Sequence, residues 1–84
     1  MEWHIYPNPS AGIFNVVFQA NVNQEINVKV YDLTGRLYFE SKVAANGFLQ
    51  KHQVDLSKSA FSSGLYLIEV SAGLEKQTFK VIKN

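Results

Sequence analysis

The chain is 84 residues long, 46% hydrophobic and 18% charged, which suits one folded domain and leaves no room for a second or for a deep catalytic cleft. Eight Lys and Arg stand against seven Asp and Glu, a formal net charge of +1, far short of the basic excess a phosphate-binding surface needs, so nucleic acid is not an expected partner. Cys is absent, which removes disulfides, thiolate metal sites and Cys nucleophiles and leaves the fold to core packing.

The opening Met1-Glu2-Trp3-His4 has neither the cationic region nor the apolar run of a signal peptide. Residues 1–5 read as a tail or added linker and residues 6–84 as the domain. Pro7 and Pro9 in Tyr6-Pro7-Asn8-Pro9-Ser10-Ala11-Gly12 fix φ and withhold two ladder donors, predicting a rigid lead-in loop. From about residue 13 to 20, Phe14, Val16 and Phe18 alternate with Asn15, Val17 and Gln19, the period of a half-buried strand. After a turn at Asn21-Val22-Asn23-Gln24, Ile26, Val28 and Val30 face inward against Glu25, Asn27 and Lys29. Asp32-Leu33-Thr34-Gly35 turns the chain into a third strand, with Leu37, Phe39 and Val43 inside and Tyr38, Glu40 and Lys42 outside, its apolar face diluted by Ser41.

Asn46-Gly47 is a type I′ hairpin signal, leading into the weakest strand, residues 48–56. Residues 57–64 are small and polar apart from Phe61, with room for one helical turn. Tyr66, Ile68 and Val70 then face inward opposite Leu65, Leu67 and Glu69, a hairpin follows at Ser71-Ala72-Gly73, and Phe79 with Val81 alternates with Thr78, Lys80 and Ile82. No apolar stripe has helical spacing, and no apolar run approaches the ~18–20 residues of a membrane span. The expected fold is all-β, an immunoglobulin-like antiparallel β-sandwich of about seven strands. Asp55-Leu56, a loop, Gly64 and then Tyr66 opening a strand have the arrangement of a tyrosine corner, in which the ring is buried and its hydroxyl bonds loop backbone upstream.

Chemistry is sparse. His4 and His52 have no acidic or second His partner at ligand spacing and read as surface residues. Asp32 and Asp55 each precede Leu at a strand end, where Asp forms turns. Ser62-Ser63-Gly64 lacks the context of a nucleophile elbow, and Asn8-Pro9-Ser10 cannot accept an N-glycan because Pro intervenes. No catalytic, metal or cofactor residues are expected, and the chain does not read as an enzyme. Trp3, Tyr31, Tyr38 and Phe48 are candidates for a sugar-binding platform, although aromatics in so small a domain usually cover the ends of its core.

Four motifs in order carry a family resemblance: Tyr6-Pro7-Asn8-Pro9-Ser10-Ala11-Gly12, then Val28-Lys29-Val30-Tyr31-Asp32-Leu33-Thr34-Gly35-Arg36, then Asp55-Leu56-Ser57 with Gly64-Leu65-Tyr66-Leu67-Ile68-Glu69-Val70, and finally Phe79-Lys80-Val81-Ile82-Lys83-Asn84. From about Tyr6 to Asn84 the chain resembles the C-terminal sorting domain of type IX secretion, type A. One departure is Ala60-Phe61-Ser62-Ser63 before Gly64, where that family often has Leu-Pro; Phe61 is expected to plug the core there.

The resemblance implies an immunoglobulin-like sandwich at the end of a cargo protein that reaches the periplasm by its own N-terminal signal. An outer-membrane translocon then recognises the sorting domain. A surface sortase removes it and joins the cargo to lipopolysaccharide at the cell surface. The domain is then a sortase substrate without catalysis of its own, and the chain reads as excised from a parent protein with the cargo domain ahead of it. Pro7, Asn8, Pro9, Gly12, Asp32, Gly35, Gly64 and Tyr66 match the family in structural positions. Arg36, Lys80 and Lys83 are harder to explain by packing and, with Val81 and Ile82 beside them, are the candidates for translocon contact. The competing reading is a fibronectin-type adhesion or carbohydrate-binding module.

Overall fold

The structure, a computed structural model, describes residues 2–84. Alternation becomes strand wherever the sequence shows it: β1 (Trp3–Tyr6), β2 (Ile13–Gln19), β3 (Glu25–Tyr31), β4 (Leu37–Ala44), β5 (Leu49–Asp55), β6 (Gly64–Ala72) and β7 (Glu75–Lys83). They form a three-stranded sheet in the order β1-β2-β5 and a four-stranded sheet in the order β4-β3-β6-β7. All neighbouring strands are antiparallel. Phe14 and Phe18 from one sheet and Ile26, Val28, Ile68 and Val70 from the other are fully buried and centre one core. This is the expected immunoglobulin-like β-sandwich. Its fourth strand sits beside the third rather than beside the fifth, unlike the constant-type immunoglobulin arrangement.

Four local expectations change. Residues 3–6 are not a tail: Trp3 and Ile5 face the core while His4 points out, and Trp3 is 5% exposed, its ring 5.7 Å from that of Phe18. A four-residue strand is too short to announce itself by period. Asn46-Gly47 does not close a hairpin, because β4 and β5 belong to different sheets. The chain crosses between layers there, held by Ala45 N donating to Gln24 O at 2.9 Å and Asn23 N donating to Ala45 O at 2.8 Å.

Leu37, expected inside, is exposed. A bulge pairs Val30 with Phe39 but Tyr31 with Leu37, and the extra residue breaks the alternation there, so that both Tyr38 and Phe39 pack against the core. Residues 57–63 hold no helix, only a turn in which Phe61 N donates to Lys58 O at 3.0 Å. Phe61 is half-buried there, its ring 5.6 Å from Tyr38 and 6.4 Å from Tyr66.

Strand direction sorts the connections onto two poles. The loops 7–12, 32–36 and 56–63 and the C-terminal Asn84 share one pole; the turns 21–24, 45–48 and 73–74 and Trp3 share the other.

Candidate functional site

The four motifs, far apart in sequence, meet at the first of these poles. The lead-in loop lies along the free edge of β7. Asn8 Nδ2 donates to Lys80 O at 3.1 Å and Asn8 Oδ1 accepts from Ile82 N at 2.9 Å. Ser10 N donates to Ile82 O at 3.0 Å, and Asn84 N donates to Ser10 O at 2.8 Å, forming an isolated parallel bridge between Ser10 and Lys83. An open edge is a pairing hazard, and this loop closes it from Lys80 to Asn84 while stitching the two sheets together. Pro7 and Pro9 suit the loop because they have no N–H to leave unpaired; both preceding peptide bonds are cis.

Gly12 is required on two counts. Its φ is +142°, and a Cβ would lie 2.6 Å from Ser57 Cα, because its carbonyl draws in Leu56 N to 2.7 Å.

Asp32 organises the β3–β4 turn. Its Oδ1 accepts from the Thr34 hydroxyl at 2.6 Å, from Thr34 N at 2.9 Å and from Arg36 N at 3.0 Å. The Thr34 hydroxyl above all, with the two backbone donors, holds the Asp32 carboxyl below its ordinary range. Gly35, at φ +89°, takes the left-handed position of that turn. Asp55 repeats the device, accepting from the Ser57 hydroxyl at 2.5 Å and from Ser57 N at 2.8 Å. The Ser57 hydroxyl is the chief reason its carboxyl is also held low. Tyr66 makes the expected corner: it is 3% exposed, and its hydroxyl donates to Ser62 O at 2.6 Å. Gly64, just ahead, pairs with Lys83.

The five candidate contact residues divide. Arg36 is exposed, its guanidinium 5.5 Å from the Tyr38 ring centroid. Lys80 and Ile82 point outward from β7. Val81 is fully buried and Lys83 is 8% exposed, so the folded domain does not present either one to a partner. The Lys83 ammonium donates to the carbonyl of Phe61 and, at 3.5 Å, to that of Lys58, clasping the C-terminal strand to the β5–β6 loop. Spacing carried this signal, since residues 79, 81 and 83 share one strand face; the expectation that lysine lies outside hid it.

Sequence reading missed a set of apolar neighbours. On the outer face of the four-stranded sheet, Leu37 lies opposite Tyr31, Tyr31 opposite Leu67 and Leu67 opposite Lys80; in the next row Leu65 lies opposite Ile82. Leu37, Leu65 and Ile82 are exposed and Tyr31 and Leu67 half-buried. The result is an apolar strip at the motif pole, with Lys80 at one end and Arg36 next to Leu37 at the other. A grouped exposed apolar surface rimmed by charge is the usual form of a docking site.

The remaining candidates do not converge. Trp3 is buried, Phe48 is exposed at the opposite pole, Tyr31 lies on the outer face and Tyr38 packs beside the core, so the four aromatics make no single platform. His4 is exposed, 3.2 Å from Glu2. His52 is half-buried rather than on the surface; its Nε2 lies 3.0 Å from Ser41 Oγ across the two sheets, and burial lowers its pKa. Beside it runs an open groove of ≈ 540 Å³ between β4 and β5, lined by Tyr38, Phe39 and Phe61 among others. Among the described residues no cluster of three His, Cys, Asp or Glu side chains is placed to hold a metal ion, and no helix is long and apolar enough to cross a membrane.

Fold and site together define a small β-sandwich whose distinctive residues are spent on one pole and one sheet face, the form of a module that is recognised by a partner. The family described as the secretion system C-terminal sorting domain matches residues 4–84, and the chain belongs to that family, the sorting domain of type IX secretion. It is a C-terminal sorting signal, and its family marks a secreted or cell-surface protein in which cargo precedes the signal. Families of secretion signal domains are typically non-enzymatic. No curated protein matches the chain.

Proposed function

We propose that the outer-membrane translocon of type IX secretion reads the motif pole and the apolar strip beside it, with Arg36, Lys80 and Ile82 making contact. Lys83 and Val81 act from inside, by holding β7 in place. Cargo ahead of the domain crosses from the periplasm to the cell surface on this signal, and a sortase then cuts the domain away and joins the cargo to lipopolysaccharide. The observation that carries the reading is the convergence of four sequence-distant motifs around the C-terminal strand, next to exposed apolar side chains that the core does not use. The chemistry fits a partner surface with an apolar centre and acidic groups opposite Arg36 and Lys80.

The test is a reporter carrying an N-terminal export signal and this chain at its C-terminus, expressed in a type IX-competent cell. The intact fusion reaches the surface, and mass analysis finds the domain removed and a lipopolysaccharide adduct on the reporter. Leu65→Asp with Ile82→Asp, both at exposed positions, leaves a folded domain and a periplasmic reporter. Surface delivery by that double variant would defeat the reading of the strip. A delivered reporter that still carries the domain would defeat the sortase step.

A further inference from the structure

β4 is the edge of the four-stranded sheet, and it lacks the protection the other edge has. The lead-in loop covers β7 from Lys80 to its C-terminal end, whereas β4 is eight residues long, contains no Pro or Gly and has its only irregularity at its start, where the bulge sits. Its unpaired backbone groups are a template for another strand.

Charges along this edge specify which strand. On the outer face β4 carries Glu40 and Lys42, one of each sign two residues apart. Charges that merely guard an edge against self-pairing would share a sign, so that a second copy is repelled. We propose instead that two copies of this chain associate through β4, antiparallel, about a two-fold axis at Ser41.

The pleat and the charges select that register. In a continuous antiparallel sheet, residues directly opposite one another point to the same face, so a two-fold axis must pass midway between the two copies of one residue. An axis at Glu40 sets Glu40 against itself, and an axis at Lys42 sets Lys42 against itself. The axis at Ser41 between them sets Glu40 of each copy opposite Lys42 of the other. That pairing prolongs a row already present in the monomer, where Glu69 lies opposite Lys29 and Lys29 opposite Glu40. Lys29 is 3.9 Å from Glu40, and Lys42 is 4.0 Å from Glu25, so the new partners join alternating charges. On the inner face the same register sets Phe39 opposite Val43 of the second copy. Both are half-buried in the monomer and packed on the rim of the core, so association covers apolar surface as well.

The dimer joins two four-stranded sheets into one of eight strands with the motif poles pointing in opposite directions. A single strand edge is a small interface, so the complex is weak and reversible.

Sedimentation of the 84-residue chain over a concentration series to the millimolar range tests this, with thermal midpoints confirming that each variant is folded. The wild-type chain forms dimers that weaken with added salt. Reversal of both cross-strand pairs in E40K or in K42E weakens association by about tenfold or more. An equimolar mixture of E40K and K42E restores it as a heterodimer, since every cross-pair is then of opposite sign, and the double variant E40K/K42E restores the homodimer. A chain monomeric at every concentration overturns the proposal. So does a dimer indifferent to the single reversals, or one that the mixture fails to rescue.

Discussion

The hydroxyl of Tyr66 ties the β5–β6 loop to the start of β6, and Tyr66→Phe isolates that tie. The ring, 3% exposed, keeps its place against Tyr38 at 5.6 Å and Phe61 at 6.4 Å; only the donor to Ser62 O at 2.6 Å is lost. Removing one partner of such a bond costs its net worth and leaves an acceptor to find water, together about 1–2 kcal/mol. For a domain of this size that lowers Tm by about 4–15 °C. Urea denaturation reads it most cleanly: the midpoint falls while the slope stays constant, because the folded state exposes no new surface. Amide exchange should speed up across residues 57–63 and remain slow in β2 and β3. A variant as stable as wild type would refute the argument that this hydroxyl anchors the loop.

Gly12→Ala should destabilise by about 1–3 kcal/mol, because a positive φ adds to a Cβ lying 2.6 Å from Ser57 Cα; chemical denaturation measures it, and a neutral outcome would show that the two loops separate freely. Lys83→Met keeps the buried stem and removes the ammonium from the Phe61 and Lys58 carbonyls, for a loss of about 1.5–3 kcal/mol, whereas Lys80→Met on the outer face should stay within about 0.5 kcal/mol of wild type. Equal effects would contradict the division of the two lysines into inner clasp and outer contact.

Acid should destabilise the domain in two stages. His52 has a lowered pKa from burial, so the unfolded chain binds the proton more readily, and stability present above 6.5 declines as pH falls below that ordinary value. Asp32 and Asp55 are held low by their hydroxyl and amide donors, so their contribution is present above 3.8 and is lost as pH falls further. His52→Gln should flatten the upper stage alone, and a midpoint that rises on acidification through that range would reverse the assignment.

How legible each part was depends on what its inward face is made of. β2, β3 and β6 announce themselves because their buried residues are uniformly apolar, and the tyrosine corner was readable because Tyr66 follows a loop and Gly64 in a fixed order. β5 is faint because its inward positions include Gln50 and His52, which sit at the half-open side of the sandwich. The bulge opposite Tyr31 was invisible, since one extra residue breaks the alternation at Leu37 and Tyr38 without changing composition, while Phe39 and Val43 keep their inward face. The site was legible as motifs but not as a surface: Asn8 meets Lys80 and Ile82 across more than seventy residues of chain, and only strand register brings Leu37, Tyr31, Leu67 and Lys80 into one row.

If secretion reads the motif pole, reversing charge there and reversing charge at the opposite pole have different consequences. In the reporter fusion, Arg36→Glu with Lys80→Glu alters the rim of the apolar strip, while Lys51→Glu with Lys76→Glu alters exposed positions away from it. With both variants folded, the first pair leaves the reporter in the periplasm and the second delivers it to the surface. Equal delivery of the two would show that secretion does not read the motif pole.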